Sequence, residues 1–395
     1  MARRLTLSFL RTEAGAGLVL ALVAAAAVLA ANSPLASDYF GFIEAPFPVR
    51  LGGFSETRTV AQWAREALMP IVFLVAGMQV KFEVLRGEFA GLRRLGLPIA
   101  AALGGLLGPA VVAFVLVGGR WSAAGAWATA SATDMPMALA ILAAAAPRLP
   151  GALRVFLMAI ALADNLAAVA IAAIAYGSVV HPAALAAAGM GVAALAVMGW
   201  WRRAPFLFYA AGFAVVWALV LHSGISTALA GVACGFTVPV GARRAGQDSV
   251  LTYFSGSLHP YVAFGVLPFF VFTAAGFAFA GHPPEGLLRR MPMAVGLALA
   301  LGKPAGVLAA SVIAGVTRIG RRPPGVAWID LAGAALVSGV GFSPSLFVGA
   351  LAFGDDPVLQ GRVRLAVFAG SLVAAVAGAV VLGSAQARRS SLREE

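Results

Sequence analysis

Long apolar runs alternate along the chain with short stretches of arginine, proline and glycine. Reading those runs as membrane-crossing helices gives about twelve spans, at roughly 13–32, 60–83, 95–118, 122–145, 150–176, 182–200, 205–221, 223–240, 255–281, 290–313, 326–350 and 358–385. Most approach the roughly 20 apolar residues that a ~30 Å hydrocarbon core requires. The short neighbours between 205 and 240 are the weakest of these, with one re-entrant piece as the alternative. The one sizeable non-apolar connection, 35–58, carries Pro46, Pro48 and Gly52-Gly53 and reads as a small hairpin on the outer side.

Composition agrees with the pattern. Hydrophobic residues make up 61% of the chain, charged residues 11%, and the mean hydropathy is +0.93. A soluble domain sits near 45–50% apolar and about 25% charged, so the expected fold class is an all-α polytopic membrane protein, one domain over 1–395. The net charge of +12 does not point to nucleic acid, because the arginines punctuate apolar runs and form no patch with interleaved aromatics. Their placement gives an orientation instead. With the N-terminus inside, 19 basic residues fall at cytoplasmic ends and 8 outside, with Lys303 left within a span. That bias puts both termini in the cytoplasm, with 386–395 as a basic, polar tail. The start of the chain, Met1–Arg11 and then apolar from Gly15, reads as a retained first helix, since Ala30-Ala31-Asn32-Ser33-Pro34 is a poor cleavage site. Two lysines against 26 arginines, with heavy Ala and Gly, suggest a GC-rich genome and so a bacterial inner membrane. The lone Cys234 excludes an intrachain disulfide and a cysteine metal cluster. His181, His222, His259 and His282 sit at span ends without metal-ligand spacing, and Glu13, Glu66, Glu83 and Asp330 read as solvated or snorkelling. No cofactor is expected.

Chemistry concentrates where polar groups lie inside apolar runs. Asp164-Asn165 sits in the middle of the run from Val155 to Tyr176. A carboxylate at mid-depth costs at least ~2.5–3.5 kcal/mol, so it persists when paired, facing a wet cavity or carrying function. The others are Ala132-Thr133-Asp134-Met135-Pro136, Gly302-Lys303-Pro304, and Gly339-Val340-Gly341-Phe342-Ser343-Pro344-Ser345. Proline at 136, 304 and 344 removes a backbone donor and clashes with the preceding turn. The fourth and eleventh spans are thereby interrupted, near Thr133–Pro136 and Gly339–Pro344, at matching places in two three-span blocks, 95–176 and 290–385. Matched interrupted spans predict an inverted-topology repeat with two crossed, broken helices and a site at the crossing. There Asp134 can offset the positive helix ends and Lys303 the negative ones.

These motifs also carry a family resemblance. Glu13-Ala14 with Ala31-Asn32-Ser33-Pro34-Leu35, Phe73-Leu74-Val75-Ala76-Gly77 with Lys81 and Glu83, and Ala132-Thr133-Asp134 with Ala138-Leu139 occur in order along the chain. Asp164-Asn165-Leu166, Leu258-His259-Pro260-Tyr261-Val262-Ala263, Gly302-Lys303-Pro304 and Gly339-Val340-Gly341-Phe342-Ser343 follow, with Ser345-Leu346-Phe347 closing the series. Together they resemble the NhaA-type sodium/proton antiporters over nearly the whole chain; the matched-break rule draws partly on that same family. The resemblance implies a twelve-helix homodimeric exchanger of Na⁺ or Li⁺ for H⁺, and no enzyme. It implies that Asp164 pairs with Lys303, and that Asn165 stands where the family carries its principal cation-binding and proton-carrying aspartate. An amide can coordinate sodium through its oxygen but cannot be protonated at physiological pH. Gln79, Phe82 and Ser255 likewise stand where the family tends to place charged residues at its cytoplasmic entrance, leaving Lys81 and Glu83 as the weaker candidates there.

Each residue keeps a structural reading beside the functional one. Asp164–Lys303 is a helix-holding ion pair or the exchange site itself; Asn165 is a neutral ligand or a lost one. Thr133 and Asp134 compensate dipoles or ligate directly. For the whole chain, the alternatives to Na⁺/H⁺ exchange are a paralogue moving another substrate and a non-transporting scaffold or regulator. An intramembrane aspartyl protease is disfavoured, because the only Gly-Asp step is Gly354-Asp355, in a loop. ATP-driven transport lacks its Gly-x-x-x-x-Gly-Lys loop.

Overall fold

The computed structural model describes residues 13–51, 54–86, 92–118, 121–175, 180–200, 206–241, 249–278, 284–354 and 356–394. Arg3, Arg4, Arg11, Arg120, Arg202, Arg203, Arg243, Arg244, His282 and the Gly52-Gly53 step lie outside them. In chain order, α1 (Glu13–Ala31) and α2 (Ala36–Glu44) precede a hairpin of β1 (Pro46–Leu51) and β2 (Phe54–Thr59). Helices α3 (Val60–Leu85), α4 (Leu92–Val117), α5 (Trp121–Ser131), α6 (Met135–Ala145) and α7 (Gly151–Ala175) follow. Then come α8 (Pro182–Trp200), α9 (Phe206–Ser223), α10 (Ala228–Thr237) and α11 (Val250–Ala275). The last are α12 (Arg290–Val316), α13 (Trp328–Ser338), α14 (Phe342–Phe353) and α15 (Pro357–Glu394).

Among the described residues, eight helices are long and apolar enough to cross a membrane, or up to eleven if each of three bent pairs is one span. This is an all-α polytopic membrane protein with one small hairpin. Every predicted span holds a helix, but 223–240 does not hold a full one. Helix α10 has 10 residues, about 15 Å at ~1.5 Å per residue and half a hydrocarbon core. The chain turns at Gly224 (φ 81°) before it begins, and leaves the helix at Val238-Pro239. Helix α15 stays helical to Glu394, so it runs on through most of the basic, polar stretch 386–395. The hairpin is present: Pro46 pairs with Thr59 and Leu51 with Phe54, antiparallel. Thr59 then opens α3 with a capping box, its Oγ1 accepting from Gln62 N (3.2 Å) while Gln62 Oε1 accepts from Thr59 N (2.9 Å).

Three prolines inside long helices are absorbed by widened turns. Pro70, Pro268 and Pro304 each follow a five-residue π-turn, in which Met69 N bonds Ala64 O, Leu267 N bonds Val262 O, and Lys303 N bonds Ala298 O. The wider turn moves the carbonyl that a proline ring would strike. Helix α12 therefore runs unbroken past Pro304, and Lys303 is delivered on a continuous helix.

The chain divides into two compact units. One comprises Met1–Leu22, Gly91–Ile171 and Phe277–Glu395 and holds every candidate site residue except Lys81 and Glu83. Its core includes Leu97, Leu153, Phe156, Leu157, Ile160, Leu331 and Leu382. Within it α4 lies directly on α12 through interlocked glycines: a Cβ on Gly104 would strike Gly306 O, one on Gly108 would strike Gly302 O, and one on Gly306 would strike Gly104 O. Such small-residue seams let membrane helices meet backbone to backbone. Gly306→Val is expected to cost about 1–3 kcal/mol by overpacking, read as a lower melting temperature and reduced folded yield in detergent. Unchanged melting would show that the seam can open. The other unit comprises Val23–Ala90 and Ala172–Gly276, with α3 packed on α10 and α8 on α9.

Candidate functional site

Helices α5 and α6 are separated by Ala132–Asp134 and bent by 49°; α13 and α14 are separated by Gly339–Gly341 and bent by 41°. Pro136 and Pro344 fall in the first turns of α6 and α14, where an amide would lack an intrahelical acceptor anyway. Each break thus lies just before its proline. Gly339 and Gly341 serve close approach, not unusual backbone angles: their φ values are −70° and −100°, while an added Cβ would meet Leu299 O and Ser345 Oγ. The two breaks touch, with Asp134 N donating to Val340 O at 2.7 Å.

Four helix ends meet at this contact, each with a polar group on it. Asp134 Oδ1 accepts from Met137 N (3.1 Å) at the start of α6. Its Oδ2 accepts from Ser343 N (2.9 Å) and Ser343 Oγ (2.5 Å) at the start of α14. At the closing ends, Lys303 Nζ donates to Ser131 O of α5, and Thr133 Oγ1 lies 3.0 Å from Ser338 O of α13. A carboxylate on amide ends and an ammonium on a carbonyl end is the favourable pairing with both dipoles. Both oxygens of Asp134 are engaged in this clasp. Ser343→Ala removes one of its charge-assisted bonds and is expected to cost about 1.5–3 kcal/mol, seen as a drop in melting temperature. Ser343→Thr keeps the hydroxyl and should recover part of it.

Asp164 on α7 is the centre of a second cluster. Its Oδ2 lies 2.9 Å from Lys303 Nζ, with both side chains fully buried, and accepts from Thr133 Oγ1 at 3.1 Å. The threonine has one hydroxyl proton, so it serves Asp164 or Ser338 O at any moment. Asp164 Oδ1 is buried and has no hydrogen-bond partner among the described residues. Asn165 is half-buried, and its Oδ1 accepts from Thr133 N at 3.1 Å. The chain therefore brings Thr133, Asp134, Asp164, Asn165 and Lys303 together in one place. Oxygen atoms from a carboxylate, a hydroxyl and an amide suit a hard cation, while the ammonium already balances the carboxylate.

Lys81 is held elsewhere, its Nζ donating to Phe236 O and Val238 O, each at 2.6 Å, at the carbonyl end of α10. Glu83 is partly buried on α3. Asp330 is not solvated, as its position at a span end suggested: it is 0% exposed. Its Oδ2 accepts from Ala327 N (2.6 Å) and pairs with Arg389 from the end of α15, which also donates to Gly325 O (3.0 Å). Glu66 is engaged too, with Arg58 at 2.6 Å and Arg65 at 2.8 Å. Sequence reasoning also passed over Ser343, although it lies inside the quoted motif, and the carbonyls of Ser131 and Ser338, which no side-chain pattern can mark.

Comparison with known proteins adds to this geometry. A family model described as Na+/H+ antiporter 1 matches residues 7–382. The Na(+)/H(+) antiporter NhaA of Rhizorhabdus wittichii is 40% identical over 383 residues, covering 96% of this chain and 98% of its own. That of Rhodospirillum rubrum is 38% identical over 385 residues, covering 95% and 96%. That of Serratia proteamaculans is 36% identical over 371 residues, covering 94% and 95%.

Proposed function

The chain belongs to the Na+/H+ antiporter 1 family, and from that premise we propose that it exchanges Na⁺ or Li⁺ for H⁺ with Asp164 as its one working carboxylate. What carries this reading is the asymmetry of that carboxylate. Oδ2 is bound by Lys303 and Thr133, while Oδ1, equally buried, is without a partner. A buried acceptor left unsatisfied costs on the order of 1–3 kcal/mol or more, and a dehydrated cation or a proton removes that cost.

The coupling in this reading follows from charge balance. Before the cation arrives, Asp164⁻ and Lys303⁺ sum to zero. The cation takes Asp164, Lys303 loses its contact and releases its proton, and the loaded site again sums to zero. One cation replaces one proton, so the exchange moves no net charge. Asn165 cannot carry a second proton; it holds the broken backbone through Thr133 N. The wider placement belongs to the same reading: an inner-membrane homodimer, both termini cytoplasmic, with 95–176 and 290–385 as inverted repeats around the meeting of the breaks.

The test is collapse of a pH gradient in everted vesicles from cells lacking their own sodium/proton exchangers, on adding Na⁺, Li⁺ or K⁺. The wild type should respond to Na⁺ and Li⁺. The commitment of Asn165 Oδ1 to Thr133 N favours a second reading, a scaffold or a carrier of another substrate in which the amide only closes the break. A folded wild type silent to every cation would select it.

A further inference from the structure

We propose that Gly105 sets the size of cation that Asp164 accepts, an inference that rests on the exchange reading above. Gly105 sits on α4 beside the glycine seam but does not belong to it. Successive helical residues turn by about 100°, and where Gly104 faces the backbone of α12, Gly105 faces the carboxylate. A Cβ on Gly105 would lie 3.3 Å from Asp164 Oδ1, 3.4 Å from Asp164 Oδ2 and 3.1 Å from Val307 Cγ2. The missing methyl leaves room beside both carboxylate oxygens of Asp164, of which Oδ1, fully buried, has no partner among the described residues. Oδ2 is already occupied by Lys303 and Thr133. A cation joining Oδ1 uses the space that glycine keeps clear.

Position 105 can be changed where position 104 cannot. Its nearest neighbours are side-chain atoms at contact distances that a shift of a few tenths of an ångström relieves, whereas a Cβ on Gly104 would strike the backbone oxygen of Gly306. Gly105→Ala therefore folds and narrows the site. Val307→Ala removes the side-chain methyls that also border this space and widens it.

The experiment measures apparent KM for Na⁺ and Li⁺ in proteoliposomes, alongside the rise in melting temperature that each cation gives the purified protein, with choline as the ionic-strength control. One methyl in a fitted site changes discrimination by about tenfold. Gly105→Ala should thus raise the Na⁺ to Li⁺ ratio of KM by about tenfold, while Val307→Ala moves the ratio the other way. If the wild type is stabilised by both cations and both variants keep its ratio, the proposal for Gly105 is wrong and the exchange reading stands. If neither cation stabilises the wild type or is exchanged by it, both fall. Should Gly105→Ala fail to fold, Val307→Ala decides alone: an unchanged ratio there overturns the proposal.

Discussion

Asp164→Asn reduces cation-driven collapse of a pH gradient to background. The substitution removes the charge opposite Lys303 where neither side chain reaches solvent, at a separation of 2.9 Å. Removing one partner of a buried ion pair costs about 3–5 kcal/mol, because the other charge is left uncompensated. The melting temperature should fall with the activity. Lys303→Met is the mirror case, leaving Asp164 with Thr133 alone, and should fail in the same two ways. The double variant separates the effects. Replacing both members of a buried pair is often near neutral, so Asp164→Asn with Lys303→Met should recover most of the stability and none of the exchange. Measured as a double-mutant cycle on melting and on transport together, recovered exchange would show that the pair is only a brace.

The second large effect is a gain. Asn165→Asp keeps an acceptor for Thr133 N, so the break survives, and places a titratable group next to Asp164. Exchange then acquires a second proton per cation and becomes sensitive to voltage. A potential of 100 mV acts with about 2.3 kcal/mol on each elementary charge moved, which shifts the equilibrium cation gradient by about 50-fold. Proteoliposomes holding a potassium diffusion potential should show sodium uptake that responds to voltage in the variant and not in the wild type. Equal responses would remove Asn165 from the coupling.

What the sequence could and could not reveal follows from the physics of each element. The breaks were legible because Pro136 and Pro344 punctuate apolar runs; the chain opens at Ala132–Asp134 and Gly339–Gly341, ending two and three residues before those prolines, since a proline is tolerated inside a first turn. Pro304 carries the same local signal and breaks nothing, because a π-turn absorbs it. Cost alone says that isolated charges at mid-depth need partners; that Asp164 and Lys303 are each other's partner is what the family resemblance implies. Asp330 looked like an ordinary span-end carboxylate, and its burial depends on Arg389, 59 residues later. The full span expected at 223–240 dissolved because an apolar window does not see Gly224 turn the chain. Gly104 and Gly105 both read as close helix packing, and nothing in the sequence tells them apart, although their contacts are entirely different.

The most direct test of a single working carboxylate is the coupling ratio of the wild-type protein. Purified protein in proteoliposomes would be set against opposed Na⁺ and H⁺ gradients at several clamped potentials, and the gradients at which net flux reverses would be read. The account predicts reversal when the two gradients are equal, whatever the voltage, as one proton per cation requires. A reversal point that moves with voltage along the slope for two protons per cation would contradict it, and would place a second proton carrier in the site beside Asn165.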